Sequence, residues 1–143
     1  MTKLTESAVE DYAIKLFEET GFTYVYGPDI APDSETPERQ RYDEVLLVGR
    51  LERALYRINP TIASTQIQTA LKEVQRTHSP NLLENNETFH YLLTEGVNVS
   101  YHQDGVERGS LVALIDFANP ENNEFTVSIN ILSLRTIKTN ALT

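Results

Sequence analysis

Apolar positions along the 143-residue chain recur with two different periods, one helical and one extended. From residue 7 to residue 20, Val9, Tyr12, Ala13, Leu16 and Phe17 fall at i, i+3, i+4, i+7 and i+8, one face of an amphipathic helix. Ser7 with Glu10 three residues on fits a capping box, and Gly21 stops the run. A second helix is predicted over 43–59, burying Leu47, Val48, Leu51, Ala54, Leu55 and Ile58 and ended by Pro60. A third runs from Ser64 or Thr65 to Thr77 with Ile67, Ala70, Leu71 and Val74 inward, broken at Ser79 and Pro80. A fourth starts near Asn81 or Asn86, turns Phe89, Leu92 and Leu93 inward, and ends at Gly96.

The extended period governs the rest. Residues 22–26 read as a short strand, and 97–101 alternate cleanly before an Asp104-Gly105 hairpin turn. Residues 110–117 are apolar on both faces and are followed by a turn at 119–123, where Pro120 fixes φ and the asparagines tolerate a left-handed backbone. Residues 124–134 alternate again, Phe125, Val127, Ile129 and Ile131 against Thr126, Ser128, Asn130 and Leu132. Three consecutive strands predict an antiparallel meander. The expected architecture is one α+β domain over 1–143, its helices packed on a mainly antiparallel sheet. A long aperiodic loop spans 27–41, with Pro28, Pro32 and Pro37, and a tail occupies 135–143. A last strand with nothing beside it exposes an apolar edge, which predicts self-association through that strand.

Charge sharpens the picture. The net charge of −9 argues against a surface that grips nucleic acid all over, yet residues 39–79 carry 7 basic and 4 acidic side chains. Within them Arg50, Arg53 and Arg57 share one flank of the second helix, with Arg39 and Arg41 close in sequence. They form either a solvated stripe or a contact to a phosphate backbone. Asp116 is anomalous in an apolar strand and either caps the following turn or belongs to a polar site. Glu6 and Glu10 border the apolar face of the first helix, where they complement its dipole or lean toward a divalent cation. His78, His90 and His102 share no ligand spacing, and the absence of cysteine excludes thiolate metal sites and disulfides. No run of 18 apolar residues and no charged-then-apolar leader is present, so the expected address is cytoplasmic, away from membranes.

Three ordered segments carry a likeness. TESAVE (5–10) with GFTYVYG (21–27), YDEVLL (42–47) with RLERALYRINP (50–60), and FHYLLTEGV (89–97) with LIDFANPENNEF (114–125) resemble the N-terminal domain of the restriction subunit of type I restriction-modification enzymes. The resemblance covers nearly the whole chain, to about residue 130.

It implies an incomplete restriction-endonuclease-like domain of the P-D…(D/E)-x-K type. In such domains carboxylates hold Mg²⁺, and a metal-activated water hydrolyses DNA. It also implies ATP-driven motor domains elsewhere in the subunit, and methylation and specificity subunits as partners besides DNA. Glu10 corresponds to an acidic residue near the nuclease site, as metal ligand and catalytic carboxylate. Asp116 matches the family's Ile-Asp-Phe segment as a second catalytic candidate. Arg50, Arg53 and Arg57 are the DNA-facing candidates from physics alone. The family's defining Asp and Glu-x-Lys lie past the final strand, and no Asp or Glu follows Glu124 here. Two functions follow as expectations. One is the front part of a Mg²⁺-dependent DNA-cleaving subunit, inactive alone. The other is a non-catalytic module that keeps the fold to bind partner subunits.

Overall fold

The computed structural model describes residues 4–129. Its order is α1 (Glu6–Glu19), β1 (Thr23–Tyr24), a 3-10 turn (Gly27–Ile30), α2 (Val48–Ile58), α3 (Ser64–Gln75), α4 (Leu82–Glu95), β2 (Val97–Gln103), β3 (Val106–Val112), a second 3-10 turn (Pro120–Asn122) and β4 (Thr126–Val127). The α+β class stands. Among the described residues no helix is long and apolar enough to cross a membrane.

The sheet differs from the expected meander. Two separate two-stranded sheets form, an antiparallel β2–β3 hairpin and a parallel β1–β4 pair. Register runs from Val97 opposite Val112 to Gln103 opposite Val106 in the first, and Thr23 opposite Thr126 in the second. Alternation tells which face of a strand is buried but not which strand lies beside it, so β4 finds its partner far back in the chain. The remainder of the expected final strand, 130–134, and the tail lie outside the described residues.

The chain divides into two compact units, the described parts of Met1–Leu47 with Glu124–Thr143, and Val48–Asn123. The second has the clearer core. All four apolar residues predicted for the third helix, Ile67, Ala70, Leu71 and Val74, are buried in α3, together with Leu55 of α2, Val97 and Val99 of β2, Val112 and Leu114. α3 packs on α2, β2 and β3, so the hairpin presents Val97 and Val99 to it while Asn98 and Ser100 face out. Asp104 (φ 53) and Gly105 (φ 75) supply the two left-handed residues that a type I′ turn demands. The strand therefore begins at Val106, four residues before the predicted start. It ends at Val112 because the Asn59 side chain takes over the next backbone groups. Its Nδ2 donates to the Ala113 carbonyl (2.8 Å) and its Oδ1 accepts from the Ala113 N–H (2.9 Å). α4 is capped by Asn81, whose Oδ1 accepts from the Leu83 N–H (2.9 Å). None of its residues is buried, and Phe89, Leu92 and Leu93 are half-buried only.

In the other unit, α1 starts one residue earlier than predicted because Thr5, not Ser7, is the cap; its Oγ1 accepts from the Ala8 N–H (3.3 Å). The Phe22 N–H returns to the Phe17 carbonyl (3.0 Å) through Gly21 at φ 98, closing the C-terminus. Phe22 then stacks edge-on against Phe17 (5.1 Å) and tilts against Phe125 (5.5 Å).

The 27–41 loop is folded back on itself. The Glu38 N–H donates to the Ile30 carbonyl (3.2 Å) and the Tyr42 hydroxyl to Asp33 (2.5 Å), while Ile30 and Ala31 are buried beneath. Arg39 is buried as well, its guanidinium donating to the carbonyls of Tyr42 and Glu44. A helix starting at 43 needs those carbonyls for its own ladder, and this is the physical reason α2 begins five residues later than predicted.

Candidate functional site

Each side chain singled out in the sequence has a definite setting. Asp116 sits in a closed polar loop at 116–123. Its Oδ1 accepts from the Asn119 N–H (2.9 Å) and its Oδ2 from the Asn122 side-chain amide (3.0 Å). Asn123 mirrors this on the backbone, its Oδ1 accepting from the Asp116 N–H (2.8 Å) and its Nδ2 donating to the Asp116 carbonyl (2.9 Å). The geometry is that of an Asx-type turn cap. The Asn122 amide, followed by the Asn119 N–H, holds the Asp116 carboxyl below the ordinary Asp range, because both stabilise the charged form.

A lowered folded-state pKa gives a stabilisation fully present above the unfolded value, about 3.9. It disappears as pH falls through the lower folded value. An NMR titration of the Asp116 carboxyl carbon is therefore expected to inflect below an unstructured Asp. Asp116→Ala is expected to remove that part of the acid sensitivity and to speed hydrogen exchange at the Asn119 amide. An inflection at or above the unstructured value contradicts the cap.

Glu10 is half-buried on α1, while Glu6 is exposed. Glu10 and Asp116 belong to different units. Among the described residues no three of His, Cys, Asp and Glu gather as a cation site.

The arginines of α2 divide in their use. Arg57 donates from Nε to the Asn122 carbonyl (2.7 Å), tying the helix to the Asp116 loop. Arg53 is exposed and Arg50 half-buried. Arg39 leaves the predicted patch by being buried, and Arg41 is ion-paired with Asp43. That pairing keeps the Arg41 guanidinium charged and the Asp43 carboxyl ionised, each shifted by the hydrogen bond to the other.

Two buried polar residues organise their units: Asn59, which sequence reasoning passed over, and Arg39, which it placed in the basic patch. Asn59 carried a weak signal, since an Asn before Pro60 at a helix end is a common cap. Arg39 carried none. Beside Arg39 lies a cavity of about 350 Å³ lined by Ile30, Glu44, Val45, Leu47, Thr126 and Ser128.

Comparison with known proteins adds the family context. The family described as type I restriction enzyme R protein N terminus matches residues 3–131. The chain is 30% identical over 135 residues to the type I restriction enzyme HindI endonuclease subunit of Haemophilus influenzae, covering 94% of this chain and 13% of that protein. It is 31% identical over 127 residues to the putative type I restriction enzyme MjaIXP endonuclease subunit of Methanocaldococcus jannaschii, covering 88% and 12%. No solved structure matches.

Proposed function

This chain belongs to the family of type I restriction enzyme R protein N termini, and on that premise we propose that it is the opening part of the DNA-cutting region of a restriction subunit. The observation that carries the proposal is the family match over nearly the whole chain, joined by relatives that are named endonuclease subunits. The chain spans about an eighth of those relatives' length. The proposal is thus about a part that acts inside a larger machine.

In this reading Mg²⁺ supplies Lewis-acid polarisation of the scissile phosphate when bound. No three His, Cys, Asp or Glu side chains gather as a cation site among the described residues, and the proposal assigns the principal ligands of that ion to other parts of the subunit. Glu10 is the side chain of this chain that the proposal assigns to that chemistry. ATP is used by motor domains elsewhere in the subunit, and the methylation and specificity subunits are the partners. Asp116 acts as a loop cap that holds Asn122 and, through it, Arg57.

The test is plasmid cleavage with and without Mg²⁺, by the 143-residue chain and by the assembled host enzyme that carries this region. The chain alone is expected to leave supercoiled DNA intact, and the assembled enzyme to cut it. Glu10→Ala in the assembled enzyme is expected to lower cutting by about tenfold or more. Full cutting by that variant removes Glu10 from the site. An assembled enzyme that binds its partners but cuts nothing favours the interaction-module reading instead.

DNA contact by α2 has its own signature. If Arg50, Arg53 and Arg57 each meet one phosphate, log K falls against log salt with a slope of about −2.7, at about −0.9 per phosphate. Arg53→Ala is then expected to make the slope shallower by about one. An unchanged slope rules out that contact.

A further inference from the structure

The tip of the β2–β3 hairpin carries the one Asp-Gly pair in the sequence, Asp104-Gly105. An Asp-Gly link is the main-chain bond most open to attack from its own side chain, because glycine puts no Cβ beside the attacking nitrogen. Both residues are exposed, and a Cβ built on Gly105 meets nothing within 4 Å, so water has access to the bond. The turn lies wholly inside the unit Val48–Asn123, every residue of which is described. By residue type alone, Asp104 is labile.

The backbone angle opposes this. Among the described residues Asp104 is the one non-glycine with positive φ, at 53°, in the left-handed region where ψ is about +47°. At that ψ the Cβ of an L-residue stands about 170° from the next nitrogen around the Cα–C bond, which is nearly trans. Closing a five-membered ring through Cγ needs the two nearly cis. The ladder fixes the geometry, since Gln103 is paired with Val106 and a two-residue type I′ loop demands a left-handed backbone at both central positions.

We propose that Asp104 is a site of spontaneous isomerisation to isoaspartate, latched shut by its left-handed backbone and released only when the hairpin opens. In the open turn the Gly105 nitrogen attacks Asp104 Cγ. The N–Cγ bond forms, the Cγ–OH bond breaks, and the hydroxyl leaves with the nitrogen's proton as water. Water then adds to the cyclic imide at either carbonyl. Breaking N–Cγ restores Asp104, whereas breaking the bond from nitrogen to the main-chain carbon leaves the chain running through Cβ as isoaspartate. No redox partner is involved. The product has a longer main chain at the tip, so a two-residue loop no longer sets Gln103 opposite Val106, and the hairpin does not regain its register. Isoaspartate at 104 therefore accumulates in copies whose hairpin has opened. The inference is independent of DNA cleavage.

The test compares the folded 143-residue chain with the same chain in guanidinium chloride at neutral pH, following isoaspartate by peptide mapping and folding by circular dichroism. The denatured chain is expected to convert Asp104 faster than any other Asp, and the folded chain about tenfold more slowly or less, because local opening limits the rate. Equal rates in the two states overturn the latch. A denatured rate at Asp104 no higher than at Asp116, which precedes Phe117, overturns the site. A glycine inserted after Gly105 keeps the Asp-Gly pair but makes a three-residue loop, whose type I turn takes Asp104 out of the left-handed region. That variant, folded by circular dichroism, is expected to isomerise several-fold faster than the folded parent. An unchanged rate rules out the backbone angle as the gate.

Discussion

Asn59→Ala is expected to destabilise the unit Val48–Asn123 by about 3 kcal/mol, built from orphaned backbone groups at about 1–3 kcal/mol each. One amide side chain there does the work of a neighbouring strand. It donates to the carbonyls of Leu55 (2.9 Å) and Ala113 (2.8 Å) and accepts from the Ala113 N–H (2.9 Å). Alanine leaves both Ala113 groups without these partners in a half-buried setting and opens a gap beside fully buried Leu55 and Val112. Asn59→Asp is the discriminating control. It keeps the acceptor for the Ala113 N–H but turns a carboxylate toward two carbonyls, so it is expected to be at least as damaging. Urea unfolding measures both. A loss below about 0.5 kcal/mol for Asn59→Ala, the range of an ordinary surface change, refutes the account.

Gly96→Ala is expected to cost a similar amount by a different route. Gly96 closes α4 at φ 82 and ψ −178, a conformation open essentially to glycine alone, with strain of about 1–3 kcal/mol for other residues. A Cβ there also meets the Val112 carbonyl oxygen at 2.7 Å and Leu111 Cδ1 at 3.1 Å. The oxygen belongs to backbone at the end of the β2–β3 ladder, where Val97 faces Val112. It cannot swing aside as a side chain would, so the ladder's end must shift. Two other glycines isolate the contributions. Gly105 has φ 75 with nothing within 4 Å, so Gly105→Ala pays backbone strain alone, about 1 kcal/mol. Gly109 is in open space without a positive φ, so Gly109→Ala is expected to be nearly neutral. Thermal unfolding should rank the three variants in that order. Gly96→Ala as mild as Gly105→Ala would falsify the steric half of the argument.

These two sites show where sequence reading succeeds and where it stops. Helical period located α3 with all four of its buried residues, and Asp104-Gly105 located the hairpin turn, because both signals are local. The start of α2 was misplaced because its first carbonyls are claimed by Arg39, and the end of β3 because Asn59 claims Ala113 from across the fold. Neither competitor announces itself in a hydrophobic pattern. The meander failed for a related reason: β4 alternates as a strand should, but its partner is β1. Of the candidate site, the turn-capping alternative for Asp116 matches its hydrogen bonds. Glu10 is half-buried on α1, as its place beside the apolar face in the sequence implies.

The parallel pairing of Thr23 with Thr126 also sets a timetable for synthesis. These residues lie about a hundred positions apart, so a ribosome working at roughly 5–20 residues per second needs roughly 5–20 s to deliver the second after the first. Val48–Asn123 is continuous in sequence and can close its core as it emerges. Meanwhile the strand at Thr23 waits, with the apolar stripe of α1 beside it in the chain. The yield of folded protein in a cell thus depends on how well that waiting segment is shielded, and slowing translation before Thr126 lengthens its exposure.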